Sequence, residues 1–145
     1  MTSFSLIDRL AQALPERHRS LGGEFLRFGT VGAFGFCIDV AVVYALRGAL
    51  GLYGAGMVAY LAAASANWAL NRIWTFRDRA HSAVHAQWAR FLLVNLFGFV
   101  LNRGAYSILI ASLPAARAQP VIAVAAGSIS GFLVNFLLSR RLVFR

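Results

Sequence analysis

Lysine is absent from this chain, and the 14 basic residues behind its net charge of +9 are all arginines. A phosphate-binding loop of the nucleotide-hydrolysing kind needs a lysine to reach the phosphates, so ATP coupling of that kind is excluded. Acidic residues number only five, and one of them, Asp39, falls inside an apolar run. Catalysis by paired carboxylates therefore finds no pair to use. The single cysteine, Cys37, rules out an intrachain disulfide and reads as a small apolar packing residue. His81 and His85 share an i, i+4 spacing but lack the further ligands a metal site needs, so they read as solvated loop histidines. Neither metal nor cofactor is expected. Of the three prolines, Pro15 closes an N-terminal run, and Pro114 and Pro120 bracket a turn between apolar segments.

What the chain has instead is apolar surface. Of its 145 residues, 59% are hydrophobic and 13% charged, with a mean hydropathy of +0.67. One domain of that length cannot hide so much apolar surface from water, but lipid can accept it. A hydrocarbon core of ~30 Å takes roughly 20 helical residues. Four segments meet that length, from about Phe28 to Leu46, Leu52 to Leu70, Phe91 to Ile110 and Ala118 to Ser139.

The arginines then orient the spans. Arg9, Arg17, Arg19 and Arg27 precede the first span; Arg72, Arg77, Arg79 and Arg90 flank the central loop; Arg140, Arg141 and Arg145 end the chain. Only Arg47 and Arg117 fall on the other side, and Arg103 lies within a span. The positive-inside rule places the rich side, with both termini, in the cytoplasm. Arginines set beside apolar runs fix orientation, so nucleic acid is not the expected partner. With Asp8 and Arg9 interrupting any signal-peptide core, the first span is expected to act as the insertion signal. Before it, Phe4, Ile7, Leu10 and Leu14 recur at helical spacing, which predicts an amphipathic helix lying on the membrane, with a frayed terminus as the alternative. Trp74, Phe76 and Trp88 are placed as an aromatic belt at the boundary.

The halves repeat. Arg27, Phe28, Val31, Phe34-Gly35-Phe36 and Asp39 match Arg90, Phe91, Val94, Phe97-Gly98-Phe99 and Asn102. Asn67-Trp68, Leu70, Arg72 and Phe76-Arg77 match Asn135-Phe136, Leu138, Arg140 and Phe144-Arg145. Two spans per unit mean both units enter the membrane the same way, as parallel repeats. The expected organisation is an interfacial segment at residues 1–23 and a four-helix domain at 24–145, with repeats at 24–77 and 87–145. The fold class is thus an all-α membrane protein of four transmembrane helices.

Polar residues within the spans are the candidate site. Ala59, Ala63, Asn67 and Asn71 recur every four residues, as do Gly127, Gly131, Asn135 and Ser139, and each set shares one helix face. Such stripes either bind the helices together or face a ligand. Counted from the span starts at 1.5 Å per residue, Asp39 lies ~17 Å deep and Arg103 ~18 Å, near the midplane of the core. Ionisable groups at that depth pair with one another or mark a pathway. The expectation is an Asp39–Arg103 pair in a polar cavity with Gly32, Gly35, Asn95 and Asn102. Arg27, Arg72, Arg90 and Arg140 hold equivalent boundary positions, where a guanidinium binds phosphate through its planar fork.

Arg27-Phe28, Val31-Gly32, Asp39 and the segment Asn67-Trp68-Ala69-Leu70-Asn71-Arg72-Ile73-Trp74-Thr75-Phe76 resemble the GtrA-like family, and Asn135-Phe136 through Val143-Phe144 fits the same pattern. Leu142 departs from it, standing where the first copy has Trp74. The resemblance spans about Glu24 to Arg145. It implies an inner-membrane protein of cell-surface polysaccharide synthesis that moves a polyprenyl-phosphate-linked monosaccharide to the outer leaflet, often beside a polyprenyl-phosphate glycosyltransferase. On that footing Arg72 and Arg140, with Arg27 and Arg90, would take the phosphate. Asp39, Asn67, Asn71, Asn95, Asn102, Arg103 and Asn135 would line the sugar's path. Four helices make a thin wall for that cargo, so a homodimer is expected. The alternative is a non-transporting anchor that recruits the glycosyltransferase.

Overall fold

The computed structural model describes residues 6–79, 82–119 and 121–145, and among them every regular element is helical. The chain divides into two compact units, Met1–Ala80 and His81–Arg145.

The first unit is a helical hairpin with a short helix laid against it. Helix α1 (Leu6–Gln12) ends before Pro15, and α2 (Glu16–Leu70) begins directly after it. Helix α2 therefore starts well before the expected span, inside the segment assigned to an interfacial helix. Gly22 and Gly23 lie against the segment that precedes it. A Cβ on Gly22 would overlap the Leu14 side chain, and one on Gly23 would sit 3.7 Å from Ala11 Cβ. Leu6 and Leu10 stay exposed on α1. Phe4 lies outside the described residues.

A single residue turns the hairpin. Gly51 has φ 66° and ψ 173°, a conformation essentially reserved for glycine, and it divides α2 into two arms. Arm one covers residues 16–50 and arm two residues 52–70. Arm two runs into a π-helical turn, Asn71–Thr75, and then a 3-10 turn, Arg77–Arg79. The π turn is closed by the Phe76 amide donating to the Asn71 carbonyl at 2.8 Å.

The second unit holds α3 (Val84–Ser112), α4 (Pro114–Ala118), α5 (Val121–Leu138) and a π-helical turn, Ser139–Val143. His85 belongs to the first turn of α3, not to a loop. Helix α3 stops because Pro114 forces Leu113 into an extended conformation, φ −113° and ψ 110°. Proline then takes the first position of α4, where its missing amide costs nothing. The turn that Pro114 was expected to open is thus a short helix; Pro120 lies outside the described residues. Arg117 folds back to cap α3, its Nε donating to the Ile110 carbonyl at 2.8 Å and its Nη2 to that of Ala111. A cation there satisfies carbonyls that a helix end leaves open.

Among the described residues, two stretches, His18–Gly51 and Val84–Ser112, are long and apolar enough to cross a membrane. Only 11% and 12% of their apolar windows are buried, whereas the core helix of a soluble protein would be mostly covered. Phe36, 69% exposed, and Leu93, 67% exposed, typify the outward faces.

Because the Gly51 conformation strains any side chain, Gly51→Ala should cost about 1–3 kcal/mol. Unfolding of the detergent-solubilised protein, followed by circular dichroism, would measure it; an unchanged midpoint would contradict the assigned turn.

Candidate functional site

Both asparagine-bearing stripes lie on packing faces within their own units. In the first, the Asn67 carboxamide fills the space where Gly35 lacks a side chain. A Cβ on Gly35 would overlap its Oδ1, Nδ2 and Cγ. In the second unit Asn135 fills the same space beside Gly98. Gly127 and Gly131 continue that seam: a Cβ on the first would come 2.6 Å from the Asn102 carbonyl oxygen, and on the second 2.9 Å from that of Gly98. Small residues admit such close backbone approach. Asn67 Oδ1 and Asn135 Oδ1 are buried and have no hydrogen-bond partner among the described residues.

Each unit is closed at its π turn by an aromatic pair. Phe28 meets Phe76 with ring centroids 6.2 Å apart, and Phe91 meets Phe144 at 6.0 Å, both within the range of favourable ring contacts. Phe76 is accordingly buried, not part of a boundary belt. Trp74 lines an apolar groove of about 250 Å³ with Thr30, Val31, Phe34 and Leu70. At the start of their π turns Asn71 and Ser139 are buried, and Asn71 Oδ1 and Ser139 Oγ have no hydrogen-bond partner among the described residues. Arg72 and Arg140 follow them as the second residues of those turns, each half-buried.

Within each unit the remaining expected site residues have separate surroundings. Asn95 donates one Nδ2 hydrogen to the Phe91 carbonyl of its own helix at 2.8 Å. Asn102 packs on Gly127 and Gly131. Asp39 is half-buried on arm one, and Gly32 is open, with nothing within 4 Å of where an added methyl would sit. Gly35 lines no space, since Asn67 occupies it. Arg90 is half-buried in α3. The side chain of Arg103 lies outside the described residues, and with it the expected pair to Asp39.

Arg27 is engaged. Its Nη2 meets Asp8 Oδ1 at 2.5 Å, tying α1 to arm one. Arg79 Nε lies 3.4 Å from Glu24 Oε1, and Arg19 joins Glu16 at 3.7 Å. Between α1, arm one and the first π turn lies a polar cleft of about 240 Å³. Asp8, Arg19, Glu24, Arg27, Thr75 and Asp78 all face it. Asp8, Glu24, Thr75 and Asp78 had no place in the site expected from sequence, because the signal there was confined to polar residues within spans and arginines at their boundaries.

Residues 27–145 match the family model described as GtrA/DPMS, transmembrane domain. The chain belongs to that family. It is a membrane protein, as the outward apolar faces of its long helices also indicate. No curated protein matches the chain. The GtrA/DPMS match begins at Arg27, so α1 and the first turns of α2, including Asp8, Arg19 and Glu24, stand before the matched domain.

Gly35→Ala and Gly98→Ala should each destabilise the protein by about 1–3 kcal/mol through overpacking. Gly32→Ala and Gly104→Ala, where an added methyl meets nothing within 4 Å, should instead stabilise by about 0.5–1 kcal/mol. Equal effects in a detergent unfolding series would rule out the asparagine seam. Asp8→Ala should free α1, and trypsin should then cut at Arg9 several-fold faster than in the unaltered protein.

Proposed function

We propose that this GtrA/DPMS-family protein flips a polyprenyl-phosphate-linked monosaccharide across the bacterial cytoplasmic membrane, for cell-surface polysaccharide synthesis. It acts as a transporter, not an enzyme, and works beside a polyprenyl-phosphate glycosyltransferase, as a homodimer. The observation that carries this reading is the family match over residues 27–145.

In this reading the chain crosses the bilayer four times, by the two arms of α2, by α3 and by α5. The 18 residues of α5 reach ~27 Å at 1.5 Å each, close to the hydrocarbon thickness. The arginine asymmetry supports a cytoplasmic position for both termini. The units are parallel repeats: Gly35 with Asn67 corresponds to Gly98 with Asn135, and Phe28 with Phe76 to Phe91 with Phe144. Each repeat ends in a π turn carrying an arginine, Arg72 or Arg140, at the same position. Single π turns inside helices recur at functional sites. These two guanidinium groups, with Arg27 and Arg90, receive the phosphate. Asp39, Asn67, Asn71, Asn95, Asn102, Arg103 and Asn135 serve the sugar's passage, which requires the seams at Gly35 and Gly98 to open.

One observation favours the second reading, a non-transporting anchor for the glycosyltransferase: both asparagine seams are filled by the carboxamides themselves. Proteoliposomes loaded with a fluorescent polyprenyl-phosphate-linked sugar separate the two. Arg72→Ala and Asp39→Asn should slow flipping roughly tenfold or more at equal reconstitution, as loss of one charge-assisted hydrogen bond of about 1.5–3 kcal/mol implies. Absence of flipping by the unaltered protein, with the glycosyltransferase still captured, would establish the anchor.

A further inference from the structure

Three of the five acidic residues in the chain, Asp8, Glu24 and Asp78, line one cleft in the first unit. Arg19 and Arg27 line it with them, as do Gln12 and Ser20. A simple anion would face three carboxylates there, and a simple cation would face two guanidinium groups. The ligand complementary to such a mixed lining is a neutral polyol, whose hydroxyls donate to carboxylates and accept from guanidinium, amide and hydroxyl donors. The volume of about 240 Å³ is several times the ~30 Å³ share of one water, on the scale of one sugar ring.

Thr75 points to a ligand independently. It is 3% exposed, it lines the cleft, and its Oγ1 has no hydrogen-bond partner among the described residues. A buried hydroxyl without a partner is costly and asks for a reason. The fold does not supply one. At the corresponding place in the second π turn stands Val143, fully buried in the same backbone arrangement. The turn therefore forms equally well with a methyl group in place of that hydroxyl. Only the first unit has α1 laid beside its turn, and only there does the position carry a hydroxyl.

We propose that the cleft between α1, arm one and the first π turn is a monosaccharide-recognition site. Thr75, Asp78 and Glu24 read the sugar hydroxyls, while Arg72, in the same π turn as Thr75, holds the phosphate. This rests on the lipid-linked sugar being the cargo and names where its headgroup is first recognised. Helix α1, which stands before the matched family domain, is the specificity element.

The test is binding, measured apart from transport. Purified protein in detergent is titrated with farnesyl phosphate and with farnesyl-phosphate-linked hexose, pentose and N-acetylhexosamine, following tryptophan emission. The unaltered protein should prefer at least one glycosylated form about tenfold over farnesyl phosphate. Thr75→Val and Asp78→Asn should bring that ratio near one and leave farnesyl phosphate affinity unchanged. Thr75→Val should melt no lower than the unaltered protein, and Asp78, whose side chain is 90% exposed, can be changed without disturbing packing. No preference for any sugar, a ratio untouched by either variant, or equal loss of both ligands would overturn the proposal. If the ratio moves as expected but proteoliposomes show no flipping, the translocation reading fails and the cleft stands. Flipping with an unmoved ratio gives the reverse.

Discussion

The fold depends on a carboxamide seated where a glycine has no side chain. Between apolar helices in lipid there is no hydrophobic gain from association, because the surrounding chains are as apolar as leucine. Close packing and polar contacts must hold the helices together. Asn67 on Gly35 and Asn135 on Gly98 supply the close packing, since each glycine lets a bulky polar group sit hard against a neighbouring backbone. Once those contacts are set, Val31 and Val94 are buried one turn away, and the ring pairs Phe28–Phe76 and Phe91–Phe144 close the same ends. The π turns lie between seam and ring pair, and their wider spiral is where the boundary arginines are carried.

This arrangement sets two demands against each other. A packed seam stabilises each unit, yet a sugar moving through the membrane needs polar groups that can be uncovered. Asn67 Oδ1 and Asn135 Oδ1 are buried and held without hydrogen-bond partners among the described residues. A group held that way can exchange its surroundings at lower cost than one already bonded. Asn95 is the contrasting case, with its amide returned to its own helix.

Much of this was legible in the sequence. The spacing of Asn67 and Asn135 with small residues, and the recurrence of Phe-Gly-Phe, mark the packing faces because helical periodicity and residue volume act locally. Backbone events left less trace. A π turn needs only one added residue in a spiral of ordinary composition, so Asn71–Thr75 and Ser139–Val143 could not be read from residue types. The helix α1 contact was missed because an amphipathic run predicts a membrane surface as readily as a protein one. What decides it is Asp8 reaching Arg27 across a long sequence separation. Arg117, counted only as a charge beyond the spans, also closes the end of α3 with its donors. Phe76 looked like a boundary aromatic until its ring partner was known.

The one-residue turn at Gly51 constrains the chain beyond its own backbone. Gly35 and Asn67 lie equally far along the sequence from it, one on either side, so the hairpin works like a folded ruler whose marks coincide only if both halves keep their length. Adding or deleting a residue between Gly35 and Asn67 would carry the carboxamide off its glycine and rotate it around the helix. In the second unit, where α4 and its flanking residues separate α3 from α5, the linker can absorb such a change. Length variation among related chains should therefore collect between α3 and α5 and be excluded from the stretch between Gly35 and Asn67.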